Sequence, residues 1–443
     1  MKIRAIGGFS EVGKNMTLLE TKEDAFIFDE GFFLPAVVEM QEREKENLTE
    51  EKLREVGAIP SDEIIENIAH KVRAQFISHA HLDHLGAVPF ISNRYNAPIF
   101  GTPFTNKVLD SLSFDANIFL RNKIKTVQPN NSIEIKGIKK TYKAEFVNIT
   151  HSTPQTSMIS LETKEGNFLY LNDFKLDDNP IIGLKPNYQK LKELSKQGVK
   201  ALVVDSLYSG TDRKTPSERI AKHLLEEVLF GIGKENSAIF VTTFSSHIAR
   251  LKSIVGFGEK LGRQIVFLGR SLNKYSKAAK EVGIAPFLNN VKICAYKRQV
   301  EKELQKIERK RKDYLIVCTG HQGEPGSILE RISKNQLPFH FNPDDNLIFS
   351  SSVIPTEINK KNFTNMEERF KKRKVRIFRD VHVSGHAGRE DLRDLIKLLH
   401  PENIIPSHGD FSKTSPMVEL SEELGYKKGK NVYQLKDFSF IEI

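Results

Sequence analysis

The chain has 443 residues, 39% of them hydrophobic and 28% charged, with 29 Phe and a formal net charge of +10. That length allows two or three domains, or one elaborated domain, with sizeable cores. No apolar run approaches the ~18–20 residues a membrane span requires, and "MKIRAIGGFSEVGKNM" lacks a signal-peptide apolar region. A cytoplasmic protein with no membrane partner is expected, and the basic balance is compatible with a polyanionic one.

In chain order, "MKIRAIGG", "MTLLET" and "DAFIFDEGFF" read as strands separated by Gly or charged turns. Residues 38–70 are highly charged with helical spacing and are expected to form a solvent-facing helical insertion or lid. "RAQFISHAH" is an apolar strand that ends in a loop, after which "DHLGAVPFISNRY" opens a helix. "APIFGT", "SIEIKGIKKTYKAEFVNIT" and "NFLYLNDF" are further strands. From about residue 199 the rhythm changes. "VKALVVDSL", "SAIFVTTF" and "QIVFLG" are apolar strands, each followed by a helix, and "DYLIVCTG" and "DNLIFSSS" continue the series. This alternation predicts a parallel sheet covered on both faces. After about residue 355 mixed short strands and a helix return. "QVEKELQKIERKRK" reads as a charged helix with a solvated face. Cys294 and Cys318 sit in apolar strand contexts and read as small buried residues rather than a disulfide or ligands.

"FISHAHLDHLGAVPF" places three of the 13 histidines, plus an aspartate, in six residues. His79 and His81 are two apart, so at an extended strand end both imidazoles project to one side. Asp83 and His84 follow at the helix start. Two ligand pairs so close suit two metals side by side, one on His79 and His81 and the other on Asp83 and His84. A structural zinc closes its sphere with four ligands, whereas a catalytic one leaves a position for water.

This stretch resembles the HxHxDH signature of the metallo-β-lactamase superfamily. The resemblance implies an αββα sandwich and extends along the chain. Asp29, at the end of an apolar strand, matches the superfamily's first aspartate, which supports the site from behind the ligands. His151 in "NITHSTPQ" matches the third motif. Asp173 in "LYLNDFKLD" would bridge two metals, with Asn172 where the family usually has glycine. The α/β stretch beginning at Asp205 resembles the β-CASP domain inserted into metallo-β-lactamase nucleases. Its acid is matched by Asp205, its first histidine by His386 in "HVSGH", and its last by His408 in "IPSHGD", which completes the second metal. "TTFSSHIARL", "TGHQGEPGSIL" and "SSSVIP" further resemble the ribonuclease J group, in the compact form of its archaeal members. The expected organisation is a metallo-β-lactamase domain in residues 1–204 and 355–443, with a β-CASP domain in 205–354.

The expected ligand set is therefore His79, His81, Asp83, His84, His151, Asp173 and His408, holding two divalent ions, zinc first and manganese as the other choice that His and carboxylate ligation suits. Asp83, Asp205 and His386 are the expected catalytic residues, with His386 oriented by Asp205 to protonate the leaving 3′-oxygen. His382, Val383, Ser384, Gly385 and His386 form an expected anion pocket of hydroxyl and successive amides followed by a helix. The resemblance implies that it holds an RNA phosphate. His247 and His321, in loops after strands, are secondary candidates for lining the substrate path. His70, His223, His340 and His400 have no motif context. The expected activity is 5′–3′ hydrolysis of single-stranded RNA bearing a 5′-monophosphate, by a homodimer. The alternatives are an endonuclease, a DNA-directed nuclease of the same group, or a catalytically silent RNA-binding subunit.

Overall fold

A computed structural model describes residues 1–40, 48–232, 237–343, 345–354 and 356–443. The chain divides into two compact units. One comprises Met1–Asp178, Leu184–Thr215 and Gly385–Ile443, the other Asn179–Gly183 and Pro216–Ser384.

Among the described residues, the first unit contains two sheets. One has the order β19-β1-β2-β3-β4-β5-β6. Its strands are β1 Lys2–Gly7, β2 Met16–Glu20, β3 Ala25–Phe28, β4 Val72–Phe76, β5 Ile99–Gly101, β6 Ile124–Thr126 and β19 Phe440–Glu442. The other has the order β18-β11-β10-β9-β8-β7, built from β7 Ser132–Lys136, β8 Thr141–Asn148, β9 Ser157–Glu162, β10 Asn167–Leu171, β11 Val199–Asp205 and β18 Ile404–Ser407. Phe26, Phe28 and Phe76 of the first sheet share one core with Phe146, Phe168, Tyr170 and Val203 of the second, and the Phe28 and Phe168 rings lie 4.9 Å apart. The outer faces are covered by helices. Ile27 and Leu18 pack with Leu53, Ile65 and Phe90, and Leu169 and Leu202 pack with Leu191, Leu395 and Met417. This is the expected αββα sandwich. Strands buried on both faces read as unbroken apolar runs, and "ALVV" in β11 does so because Ala201 and Val203 enter the core between the sheets while Leu202 and Val204 face the covering helices.

The second unit holds a fully parallel sheet of order β14-β13-β15-β12-β16-β17. Its strands are β12 Ile239–Thr242, β13 Gln264–Leu268, β14 Lys292–Cys294, β15 Tyr314–Cys318, β16 Asn346–Phe349 and β17 Arg376–Phe378. Helix Lys297–Arg309 buries Val300, Leu304 and Ile307 together with Glu303, which pairs with Lys292, and most of its other charges are exposed or partly exposed. Both cysteines are buried and unpaired with each other.

Two expectations need correction. The unit boundaries fall at 216 and 384 rather than 205 and 354. β11 has the run of an α/β strand but joins the sandwich, whereas β17 and the preceding helix, Glu357–Lys372, belong with the second sheet. Nor is the charged 38–70 segment a solvent-facing lid over its described part (41–47 lie outside the described residues). Leu53, Ala58, Ile59, Ile65 and Ile68 are buried in the sandwich core, and the buried Asp62 is bonded by Arg54 at 2.6 Å and Tyr95 at 2.7 Å. Its charges occupy one face of an amphipathic segment whose other face is docked.

Candidate metal centre

Every expected ligand, and the supporting Asp29, lies at or beyond the carboxyl end of a strand of the first unit. Asp29 follows β3, His79 and His81 follow β4, His151 follows β8, Asp173 follows β10, and His408 follows β18. Asp83 and His84 lie in the short helix Leu82–Leu85. The parallel register that aligns Asp205 with Ser407 brings the end of β11 beside His408. Asp29, Asp173 and His408 all adopt left-handed backbone, with φ of 60°, 44° and 60°. Such conformations are uncommon outside glycine, and they cluster where a site dictates side-chain direction.

Two groups result. His79, His81, His151 and Asp173 form one, Asp83, His84, Asp173 and His408 the other, with the ligand atoms of each within 4.8 Å of one another. In the first, His81 Nδ1 lies 3.0 Å from His79 Nε2 and 3.1 Å from His151 Nε2. With His79 Nδ1 and His151 Nδ1 set against Ser78 Oγ and the Gly385 carbonyl, the Nε2 atoms of both rings turn toward His81 Nδ1, a convergence that suits a cation. Asp173 joins the groups. Its Oδ2 is 3.5 Å from both His79 and His151, while its Oδ1 is 3.2 Å from His84 and 3.5 Å from His408. Asp173 Oδ1 is buried and makes no hydrogen bond among the described residues. A buried carboxylate oxygen without a hydrogen bond is costly, so the donor set fits a divalent metal. Burial would raise the Asp173 carboxyl, but His408, His84 and His386 hold it well below the usual range. Burial also holds His79 and His151 well below the usual imidazole range, which keeps them neutral and able to ligate.

The surroundings orient these rings. Asp29 is fully buried. It accepts hydrogen bonds from Ser78 N at 2.7 Å, Ser78 Oγ at 2.8 Å and Tyr170 Oη at 3.0 Å, and lies 2.7 Å from His84 Nδ1. It therefore ties the β4 loop to the sandwich and leaves His84 Nε2 for the second group. His151 Nδ1 lies 2.7 Å from the Gly385 carbonyl. A Cβ on Gly385 would sit 2.9 Å from the His151 ring, so this close approach requires glycine. The sequence reading missed Asn15. Its amide lies 3.1 Å from His84 Nε2 and 2.9 Å from His408 Nδ1, and donates to the Asp83 carbonyl at 2.9 Å. "GKN" in a loop carries no ligand pattern. The left-handed backbone at Gly13 and Lys14 just before Asn15 shows only in the structure.

His386 places Nδ1 2.8 Å from Asp205 and Nε2 3.8 Å from Asp173 Oδ2. Burial opposes its charge, but Asp173 and Asp205 push its imidazole up to about 9. A proton held at Nε2 therefore faces the centre. The rest of the anion-pocket segment divides: Gly385 and His386 belong to the first unit, His382, Val383 and Ser384 to the second. The amides that follow, opening helix Arg389–Leu399, are not available to an anion. They are already used, Gly388 N by Asp391 at 3.0 Å and Arg389 N by the Thr211 carbonyl at 3.0 Å. His247, a secondary candidate, caps helix Ile248–Lys260 and lies 3.3 Å from Glu218 with its side chain 3% exposed, so it is an interior residue. His321 packs against Phe244 with ring centroids 4.2 Å apart.

Three family profiles match the chain: "Metallo-beta-lactamase superfamily" over residues 10–187, "Ribonuclease J, beta-CASP domain" over 236–367, and "Zn-dependent metallo-hydrolase RNA specificity domain" over 372–433. Ribonuclease J of Methanocaldococcus jannaschii is 40% identical, with 99% of this chain and 97% of that protein covered. Ribonuclease J of Pyrococcus abyssi is also 40% identical, over 100% of this chain and 97% of that protein. Ribonuclease J of Thermus thermophilus is 29% identical, over 96% of this chain and 71% of that protein. A crystal structure of a protein of unknown function from Enterococcus faecalis V583 superposes with a TM-score of 0.66 at 16% identity, covering 99% of both chains, a likeness of fold.

Proposed function

The chain belongs to the ribonuclease J family, and from that premise we propose that it is a metal-dependent ribonuclease acting 5′ to 3′ on single-stranded RNA. Two divalent ions, zinc foremost, would be held by His79, His81, His151 and Asp173 and by Asp83, His84, His408 and Asp173. The observation that carries this reading is Asp173, which offers one oxygen to each group and, among the described residues, has no hydrogen bond at Oδ1. Divalent ions there supply Lewis acidity toward the scissile phosphate and acidify water. The chain's own part is to hold His84, His79 and His151 in fixed orientations through Asp29, Ser78 and the Gly385 carbonyl, and to keep a proton at His386 Nε2 for the leaving 3′-oxygen. His382 through His386 would seat a phosphate of the RNA.

The end preference is tested with matched single-stranded RNAs carrying a 5′-monophosphate, triphosphate or hydroxyl, labelled at either end. A triphosphate adds two phosphates that Ser384 and the neighbouring amides must accommodate with few donors. The monophosphate RNA should therefore be degraded fastest, one nucleotide at a time, and Ser384→Ala should weaken that preference more than the chemical step. Equal rates on all three ends, with internal cuts dominating, would establish an endonuclease instead.

Salt supplies a second measurement. The net charge of +10 supports contacts along the phosphate backbone, and each releases counterions. RNA affinity should fall by roughly 50-fold between ~50 and ~200 mM salt for about four phosphate contacts on a single strand. A flat response would count against an extended RNA path. Among the described residues no helix is long and apolar enough to cross a membrane.

A further inference from the structure

The second unit buries a charged group that the chemistry above does not use. Arg250, on helix Ile248–Lys260, has a fully buried side chain. Its Nε and Nη2 bond the two oxygens of Glu218 at 2.6 and 2.9 Å, a bidentate fork. His247 Nε2 lies 3.3 Å from the same carboxylate. Burial would raise the Glu218 carboxyl, but His247 and Arg250 hold it well below the usual range, so the group is ionic. A buried ion pair is weak evidence for stability, because apolar residues of similar volume do as well. The informative feature is where the remaining arm of Arg250 goes. Nη1 donates to the Ser350 carbonyl at 2.7 Å and Ser350 Oγ at 2.8 Å, reaches the Val381 carbonyl at 3.4 Å, and lies 3.3 Å from His382 Nδ1. Ser350 Oγ donates to the same Val381 carbonyl at 2.8 Å. Val381 and Val383 are buried, while His382 and Ser384 between and beyond them are partly exposed.

A guanidinium has donors and no acceptor. The two hydrogens of Nη1 are shared among these four acceptors, and their approach to His382 favours an unprotonated Nδ1, which leaves the proton of the neutral ring on Nε2. We propose that Arg250, locked by Glu218, is a positioning residue: it fixes the Val381–His382 backbone and holds His382 in the Nε2–H form, so that this N–H donates to an RNA phosphate oxygen. The inference rests on the reading of His382–His386 as substrate-binding. A lysine could not replace Arg250, since one ammonium cannot span the Glu218 fork and the Ser350–Val381–His382 acceptors together.

Two readouts keep the inference separate from that reading. The first needs no activity. In full-length protein labelled with 15N-histidine, long-range proton–nitrogen correlations near neutral pH, assigned by the signals lost in His382→Gln, should show His382 with unprotonated Nδ1 and protonated Nε2. Glu218→Gln/Arg250→Met, which removes both charges together and leaves neither unpaired, should abolish that single form. His382 in the Nδ1–H form in wild type, or unchanged in the double variant, would overturn the positioning role. The second readout is kinetic, on 5′-monophosphate RNA. The double variant and Arg250→Lys should raise KM about tenfold or more, with kcat and metal content within about twofold and a cooperative melt retained. Unchanged KM despite the lost tautomer would show that His382 does not touch RNA, which overturns the substrate contact and leaves the tautomer result standing. A fall in kcat alone would overturn the proposal by making Arg250 part of the chemical step. Loss of the cooperative melt in both variants would reduce Arg250 to a structural residue and overturn it too.

Discussion

His81→Ala and Asp83→Ala should each reduce RNA cleavage by on the order of 10³-fold or more, a barrier increase of at least ~4 kcal/mol, with a melting temperature within a few degrees of wild type. The two effects separate because of where these residues sit. His81 and Asp83 have partly exposed side chains, 20% and 16%, on the loop and short helix beyond β4, and neither belongs to a sandwich core cluster. Removing either leaves Phe76, Phe146 and Phe168 packed as before but takes one donor from a metal group. Asp29→Ala should behave in the opposite sense. It strips a buried acceptor from Ser78, Tyr170 and His84 at once, so stability should fall by ~2–4 kcal/mol along with activity. Metal analysis of the wild type should find about two ions per chain, dropping in His81→Ala and Asp83→Ala. One ion in a closed four-ligand sphere would end the two-ion mechanism.

The second large effect concerns proton delivery. His386→Ala should lower the cleavage rate by ~10²–10⁴-fold, the usual worth of a positioned general acid. Asp205→Asn should cost less, because the imidazole stays in place and loses only the carboxylate 2.8 Å from Nδ1. His386 also lies within reach of Asp173 in a third group, Asp173, Asp205 and His386, so a ligand role must be distinguished from an acid role. Two measurements do this. Metal content should be unchanged in His386→Ala. An RNA with a bridging 3′-sulfur at the scissile bond should be cleaved almost as fast by His386→Ala as by wild type, since a thiolate leaves without a proton. Equal losses on the oxygen and sulfur substrates, or loss of a metal ion, would rule out the acid role.

The candidate ligands were legible in the residues because their chemistry is local. His79, His81, Asp83 and His84 fall within six positions, and each remaining ligand follows directly on an apolar run that could only be a strand. Strand ends point side chains in predictable directions, and parallel strands bring their carboxyl ends to one edge. The alternation from β11 onward likewise announced an α/β sheet through its apolar runs. Three matters lay beyond that reach. Asn15 touches His84 and His408 across 69 and 393 residues of chain, and nothing in "GKN" encodes contacts closed over such distances. The unit boundary was misplaced because β11 and a β-CASP strand have the same apolar signature, and only pairing with β10 and β18 assigns β11 to the sandwich. The charges of 48–70 were read as solvation, yet Leu53, Ile59, Ile65 and Ile68 dock on the sandwich. Residue type and spacing thus determine what a short segment can bind or form. Which segment it meets depends on burial and hydrogen bonding between residues far apart in the chain, and there tertiary packing alone decided that Asn15 stands among the candidate ligands and that Arg250 reaches His382.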